Sequence, residues 1–446
     1  MLTLLYTRCT SRGAKLPATW LLAVYIVTGI MELQTYFAWR SAFFMLSVIA
    51  MAMVFRIDRT RAGGMRCGWV ALFFLWMSWL LPVFTFRYAA LAAAIFFVIE
   101  YFYGRIQLLT FITAVLMAPV IDYGANVFSF PLRLWLTGVA GKILAGVNPA
   151  ITTQGNMIQL GKQEFTVDIA CMGLQMMLTS LLCGVMLLAF YQRRYHKILP
   201  GIFVALVLTG IAGLNIIANL FRIILLVQFA LPPATLAHDG VGILSLLIYV
   251  ILPLIPGIKW MLQRYGRTPI DGAAVAPRWY GMALQLLLLT GIVAIFYLKN
   301  DRSRNDGVNN IHVKSLPGYT QTVLEDHVIR QTATDALLYI KPIRGFYFTD
   351  HQPMICWKGS GFEFFKVQEQ TMQGVKMYTA ELKKDSSTLY TAWWYESSSR
   401  RSSSQLEWRW DALCSGNNYY LINITVEKKA LLEQKIGALL RMHLIQ

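Results

Sequence analysis

Between residues 16 and 298 the chain offers one long apolar run after another, and this feature limits most strongly what it can become. A helix needs roughly 20 predominantly apolar residues to cross a bilayer, with about 17 tolerated. In lipid every backbone polar group must also be satisfied within its own segment. Nine runs approach that length: about 16–31, 41–55, 67–84, 88–103, 106–121, 171–191, 198–221, 240–258 and 279–298. Residues 299–446 read instead as ordinary soluble sequence. The expected architecture is an α-helical polytopic membrane bundle of about nine transmembrane helices over 1–298, followed by a C-terminal α+β extracytoplasmic domain over 299–446. Only 14% of residues are charged, against about a quarter in soluble domains.

The net charge is +17, and it is concentrated in the membrane part: residues 1–298 carry 21 Lys and Arg against 8 Asp and Glu. Nucleic-acid binding is one cause of such an excess, but these cations sit in short loops between apolar runs, so topology accounts for them and no nucleic-acid partner is expected. The segments 1–15, 56–66, 104–105, 192–197 and 259–278 hold 15 Lys and Arg, whereas the opposite side up to residue 298 holds six. Cytoplasmic loops carry such an excess. Parity then puts Cys171 at the outer end of its helix, His238 in an outer loop, and the C-terminal domain outside the membrane. The N-terminal run has charge before it and no small-residue cleavage site, which predicts a signal anchor rather than a removed signal peptide. Membrane lipids are partners by topology alone.

Residues 122–170 are not expected to span. "FSFPLRLWLTGVAGKILAGV" reads as an interfacial amphipathic helix with Arg133 and Lys142 on its wet side. "NMIQLGKQEFTVDI" alternates around Gly161-Lys162 and predicts an outer hairpin that feeds the helix opening at Cys171.

On this topology Cys171, Arg222 and His238 share one aqueous face. A membrane arginine is costly and therefore a functional suspect; Asn219, three residues before Arg222, lies on its helical face and is placed to orient it. A thiol becomes a nucleophile when a base or positive field favours the thiolate, and a helix amino end helps. His238 is suited to take the proton and return it to a leaving group, and Arg222 to hold an oxyanion. The bland alternatives are an inert membrane cysteine, a solvated loop histidine and a snorkelling arginine.

At these residues the sequence resembles the exosortase/archaeosortase family over roughly residues 90–260. The family pattern is a hairpin ending in an ACSG-like box, then an N-x-x-R box, then a histidine in the following loop. Here these are "ACMGL" (Ala170 to Leu174), "NLFRI" (Asn219 to Ile223) and "AHDGVG" (Ala237 to Gly242). Met172 follows the cysteine where a small residue is usual. Ile169 stands where a glutamate is common, with Asp168 one position earlier either replacing that acid or leaving the role unfilled. The sequence thus looks like a divergent bacterial exosortase. The resemblance implies a cysteine transpeptidase or protease with Cys171, Arg222 and His238 in the catalytic positions. It also implies a place in the bacterial cytoplasmic (inner) membrane, with the catalytic face outward. Its substrates would be exported proteins whose C-terminal sorting signal carries a motif, a membrane-spanning segment and a basic cluster. The acceptor would be an amine or hydroxyl, on a surface polysaccharide or lipid, or else water. No metal, nucleotide or flavin cofactor is implied.

In the C-terminal domain, "ALLYIKPI", "FEFFKVQEQ", "VKMYTAEL", "TLYTAWWYESS" and "NYYLINITVE" predict strands, and "EKKALLEQKIGALLRMHLIQ" an amphipathic helix. "ESSSRRSSSQ" (396–405) predicts a mobile hairpin tip. The stretch "TDHQPMICWKGSGFEFFKV" is similar to the soluble domain that accompanies exosortases, with His351, Pro353, Cys356 and Gly361 matching and Phe362 replacing a tryptophan. His351 and Cys356 form a second candidate site, a Cys356–Cys414 disulfide is conceivable in an oxidising compartment, and a binding module for substrate or acceptor is the plainer reading. Two other classes compete with the enzyme. One is a non-enzymatic membrane component of polysaccharide assembly or export with an outer binding domain. The other is a transporter, which the absence of an internal repeat and the scarcity of mid-membrane acids argue against.

Overall fold

The computed structural model describes residues 15–58, 64–81, 83–127, 129–160, 163–167, 174–231, 235–268, 279–299, 313–324, 327–343, 345–347, 357, 360–385, 387–442 and 444–445. The chain opens with helices α1 (Lys15–Glu32) and α2 (Ala42–Val54), the short strand β1 (Ile57–Asp58), α3 (Arg66–Leu80) and α4 (Phe84–Tyr103). Strand β2 (Arg105–Ile106) pairs with β1 and is followed by α5 (Leu108–Met117), α6 (Pro119–Val127) and α7 (Ser129–Val147). Strands β3 (Ile151–Gln154), β4 (Met157–Leu160) and β5 (Gln163–Thr166) form an antiparallel three-stranded sheet. Next come α8 (Leu174–Tyr195), α9 (Gly201–Gln228), α10 (Leu236–Leu246), α11 (Leu252–Tyr265) and α12 (Trp279–Lys299). A π-helical turn, Leu247–Ile251, joins α10 to α11.

Among the described residues four helical stretches are long and apolar enough to cross a membrane: Phe84–Tyr103, Met176–Tyr195, Gly201–Gln228 and Leu236–Tyr265. Shorter apolar helices occupy Pro17–Glu32, Ala42–Val54, Arg66–Leu80, Leu108–Met117 and Tyr280–Ile295. The N-terminal region is therefore helical and apolar, and each run read from the sequence overlaps one of these helices.

The C-terminal part is a sheet-containing domain. Its strands are β6 (Thr320–Val323), β7 (Ile329–Thr332), β8 (Ala336–Ile343), β9 (Glu363–Met372), β10 (Val375–Lys384), β11 (Ser387–Glu396), β12 (Arg401–Ser402) and, after helix α13 (Gln405–Ser415), β13 (Tyr419–Val426); helix α14 (Lys429–Arg441) follows. The order across the sheet is β6-β7-β8-β13-β11-β10-β9, with β12 on β11, and every pairing is antiparallel. Period-two alternation sends residues to opposite faces. Leu338, Ile340, Trp394, Ile422 and Ile424 pack under Leu432, Ile436 and Leu439 of α14. Val367, Trp393, Tyr395 and Leu421 pack with Trp408 of α13 and Leu134 of α7.

Two expectations change. "ESSSRRSSSQ" is not a loose tip: β12 pairs with β11, Arg401 forms an ion pair with Glu396 at 2.9 Å, and Arg401 Nη1 donates to the Leu440 carbonyl at 2.8 Å. Its serines satisfy the folded-back chain, Ser404 Oγ capping α13 by accepting from the Glu407 N–H at 3.3 Å. Arg133 does not lie on a wet face but is buried at 3% exposure, beside Leu134, which joins the sheet core.

Contacts divide the chain into two compact units. The first is Met1–Asn126, Gly173–Asn219 and Gly240–Arg304; the second is Val127–Met172, Leu220–Asp239 and Asn305–Gln446. In the first, two acids are ion-paired between helices. Glu32 of α1 meets Arg87 of α4 at 3.4 Å with both side chains almost wholly buried. Glu100, at the other end of α4, accepts from Arg66 Nε at 3.1 Å, from the Ile106 N–H at 2.9 Å and from Cys67 Sγ at 3.3 Å. Arg66 also donates to the Ile106 carbonyl at 2.9 Å, so one cluster fixes α3, α4 and β2.

The two partners of that cluster differ in burial: the Glu100 side chain is 0% exposed and Arg66 43%. Arg66→Gln strands a buried carboxylate and is expected to cost about 3 kcal/mol. Glu100→Gln leaves an arginine that can turn its head to water, at about 1 kcal/mol. Thermal unfolding in detergent checks that order.

In the second unit Asp411 accepts from Asn417 Nδ2 and the Tyr419 hydroxyl, each at 2.8 Å, with Arg400 at 3.5 Å. The hydrogen bond from Asn417, then that from Tyr419 and the Arg400 charge, hold its carboxyl below the ordinary value, while burial pushes the Tyr419 phenol up to about 12. Because the folded carboxyl is depressed, its stabilisation is present above the unfolded pKa and lost as pH falls through the folded one. Asp411→Asn is expected to lower stability at pH 7 by about 1 kcal/mol, and the gap to close as pH drops below about 4. Tryptophan fluorescence against denaturant at several pH values measures both.

Candidate functional site

Helix α9 carries a polar stripe through apolar sequence. Asn215, Asn219 and Arg222 are spaced four and then three residues apart, so they share one face, and all three are buried at 6% exposure. The Asn215 amide Nδ2 donates to Ser180 Oγ of α8 and to the Ile211 carbonyl at 2.8 Å, tying α9 to the helix that follows the Cys171 box. One turn further on, neither amide atom of Asn219 has a hydrogen-bond partner among the described residues. A buried amide in that state carries a desolvation cost of about 1–3 kcal/mol, which favours a further polar partner. Arg222 completes the stripe one turn later.

His238 sits at the third position of α10. The Thr235 hydroxyl accepts its backbone N–H at 3.3 Å, the arrangement of a helix N-cap, so the start of the helix and the histidine are fixed together. His238 is buried at 4% exposure, in contrast to the solvated loop histidine that is the ordinary alternative. Arg222 and His238 both belong to the second compact unit, the same unit that holds Val127–Met172.

The three-stranded sheet ends at Thr166, five residues before Cys171 in sequence. Strands β4 and β5 pair from Met157↔Thr166 to Leu160↔Gln163, as the alternating sequence predicts, and β3 adds a strand that the sequence reading missed. Val167, 0% exposed, closes this sheet by donating its N–H to the Asn156 carbonyl at 2.8 Å. Cys171, Asp168, His351 and Cys356 lie outside the described residues. Cys414 is a free, exposed thiol on α13.

Sequence reasoning also missed Asn215 with its partner Ser180; the signal was there in the spacing of Asn215, Asn219 and Arg222. It missed the ion pairs of Glu32 and Glu100 as well, because a lone acid at a run's edge looks like loop. An apolar cavity of about 500 Å³ lies in the first unit between α3, α4 and α5, lined in part by Phe74, Tyr88, Phe96 and Phe111, and none of the nominated residues lines it. Among the described residues no three His, Cys, Asp or Glu side chains are grouped to hold a metal ion.

Among curated proteins and among solved structures, nothing matches the chain. A family model described as transmembrane exosortase (Exosortase_EpsH) matches residues 17–255. That match takes in more than half of the chain, including the Cys171, Asn219–Arg222 and His238 boxes, and the chain therefore belongs to the transmembrane exosortase family.

Proposed function

We propose that this exosortase-family membrane protein is a cysteine transpeptidase or protease that cleaves C-terminal sorting signals of exported proteins. The observation that carries the reading is the burial of Arg222 and His238, two costly polar side chains, in the compact unit that spans Val127–Met172. The buried amide of Asn219, three residues before Arg222 on the same helix and without a partner among the described residues, adds to it.

In this reading Cys171 loses its proton to His238 and the thiolate attacks the scissile carbonyl carbon. Arg222 donates hydrogen bonds to the oxygen as it gains negative charge, with Asn219 orienting the guanidinium or the substrate. The carbon–nitrogen bond then breaks, and His238 returns the proton to the departing amine. A thioester on Cys171 remains. An amine or hydroxyl of a surface acceptor, or water, attacks it and regenerates the thiol. Asp168, one position before the usual acid, stands in for it, and His351 and Cys356 belong to a domain that binds substrate or acceptor. The protein crosses the bacterial inner membrane about nine times, with this chemistry and the C-terminal domain on the outer side; the charge asymmetry of the loops supports that orientation.

Cys171→Ala and Cys171→Ser are tested in cells making a substrate with a sorting tail. The expected result is complete loss of tail removal with normal membrane insertion, read on immunoblots; undiminished processing would leave the non-enzymatic assembly component or the transporter.

Substitutions of the partners separate their roles. Arg222→Lys removes the planar fork while keeping the charge, and a fall of about 100-fold in processing rate is expected, in line with loss of an oxyanion donor. His238→Gln should lose activity at neutral pH and regain part of it at alkaline pH, where the thiol ionises without a base. Wild-type rates in either variant would remove that residue from the site.

A further inference from the structure

The turn between β3 and β4 is docked into a defect of the C-terminal sheet. Strand β9 pairs with β10 in regular register until Thr379↔Gln368, and the next pair is Glu381↔Phe365, so β9 holds an extra residue there. Lys366 takes a left-handed conformation at φ 49° in this bulge. A bulge leaves backbone groups off the ladder, and here the Val367 N–H is donated to the side-chain oxygen of Asn156 at 2.9 Å. Gly155 stands at φ +60°, and a Cβ on it would lie 2.2 Å from the Val367 carbonyl oxygen, so only glycine lets the turn approach this closely. Asn156 is 2% exposed and Val367 1%. The same Asn156 accepts the Val167 N–H on its main-chain carbonyl. One buried residue thus holds the sheet of the C-terminal domain with its side chain and the chain four positions before Cys171 with its backbone.

We propose that Asn156, seated in the β9 bulge, is a positioning residue through which the C-terminal sheet holds Val167, just past the end of β5, and so tunes the reactivity of the Cys171 thiol four positions on. The C-terminal domain is on this account a structural support of the thiol site in addition to its role in binding. The proposal deepens the reading of Cys171 as nucleophile, but its test is read on the thiol itself and needs no substrate.

The experiment uses the full-length chain in membranes. Cysteines are labelled with a small membrane-impermeant thiol reagent, and the rate at Cys171 and at Cys414 is read by peptide mass spectrometry. Asn156→Ala removes the acceptor, and Gly155→Ala forces the turn out of the bulge. Asn156→Asp keeps an oxygen acceptor for the Val367 N–H whether or not it is ionised. Asn156→Ala and Gly155→Ala are expected to change the Cys171 labelling rate about fivefold, the size of one lost buried hydrogen bond. Asn156→Asp should restore most of the wild-type rate, and Cys414 should stay unchanged in all three. Three results would overturn the proposal: equal Cys171 labelling in wild type and Asn156→Ala, including none in either; Asn156→Asp as altered as Asn156→Ala; or Cys414 changing in step with Cys171, which marks general loss of the domain. If Cys171 labelling shifts as expected while processing is indifferent to Cys171→Ala, the positioning stands and the nucleophile assignment falls.

Discussion

The cost of removing charge from water governs this molecule. An ion in an apolar interior is stable only when paired, hydrogen-bonded or kept for a function. The chain obeys this in its helical region with Glu32 against Arg87 and Glu100 against Arg66, pairs that fix α4 to its neighbours at both ends. Arg222 and His238 are polar side chains also taken out of water, on the segments that follow Asn219 and precede Gly240. The Glu32–Arg87 and Glu100–Arg66 pairs account for architecture, whereas Arg222 and His238 fall in the family's motif boxes, and the proposed chemistry rests on them.

The second unit is the scaffold on which the proposed chemistry rests. Helix α7 contributes Leu134 to the core formed by Trp393, Tyr395 and Trp408. The three-stranded sheet meets β9 through Gly155 and Asn156. Sequence distance hides this, since Asn156 and Val367 are 211 residues apart. A division of the chain by hydropathy alone separates what these hydrogen bonds join.

Much of the fold was legible in the sequence because its signals are local. Apolar runs set the helices, and alternation set β8 to the residue at "ALLYIKPI" as well as the β4–β5 pairing. What escaped depends on long-range partners. β3 has a weak alternating pattern and is a strand because β4 lies beside it. Helix α13 carries exposed Leu406, Trp410 and Leu413, which blur its periodicity. The serine-rich stretch reads as disorder by composition, yet Ser397, Ser402 and Ser403 are buried by hydrogen bonds to groups distant in sequence or folded back on themselves. For the site, Arg222, His238 and Asn219 were nominated by their types and spacing, and all three are buried. Asn215 needed Ser180 in view to acquire one.

The most direct measurement looks for the covalent intermediate. The full-length protein is isolated from cells carrying a tail-bearing exported substrate, quenched in acid, and its cysteine peptides are mapped by mass spectrometry. The account predicts a hydroxylamine-labile thioester between Cys171 and the substrate's new C-terminal residue, depleted in His238→Gln at neutral pH and absent in Cys171→Ala. A substrate adduct on another residue, or processing that continues without any thioester on Cys171, would contradict it.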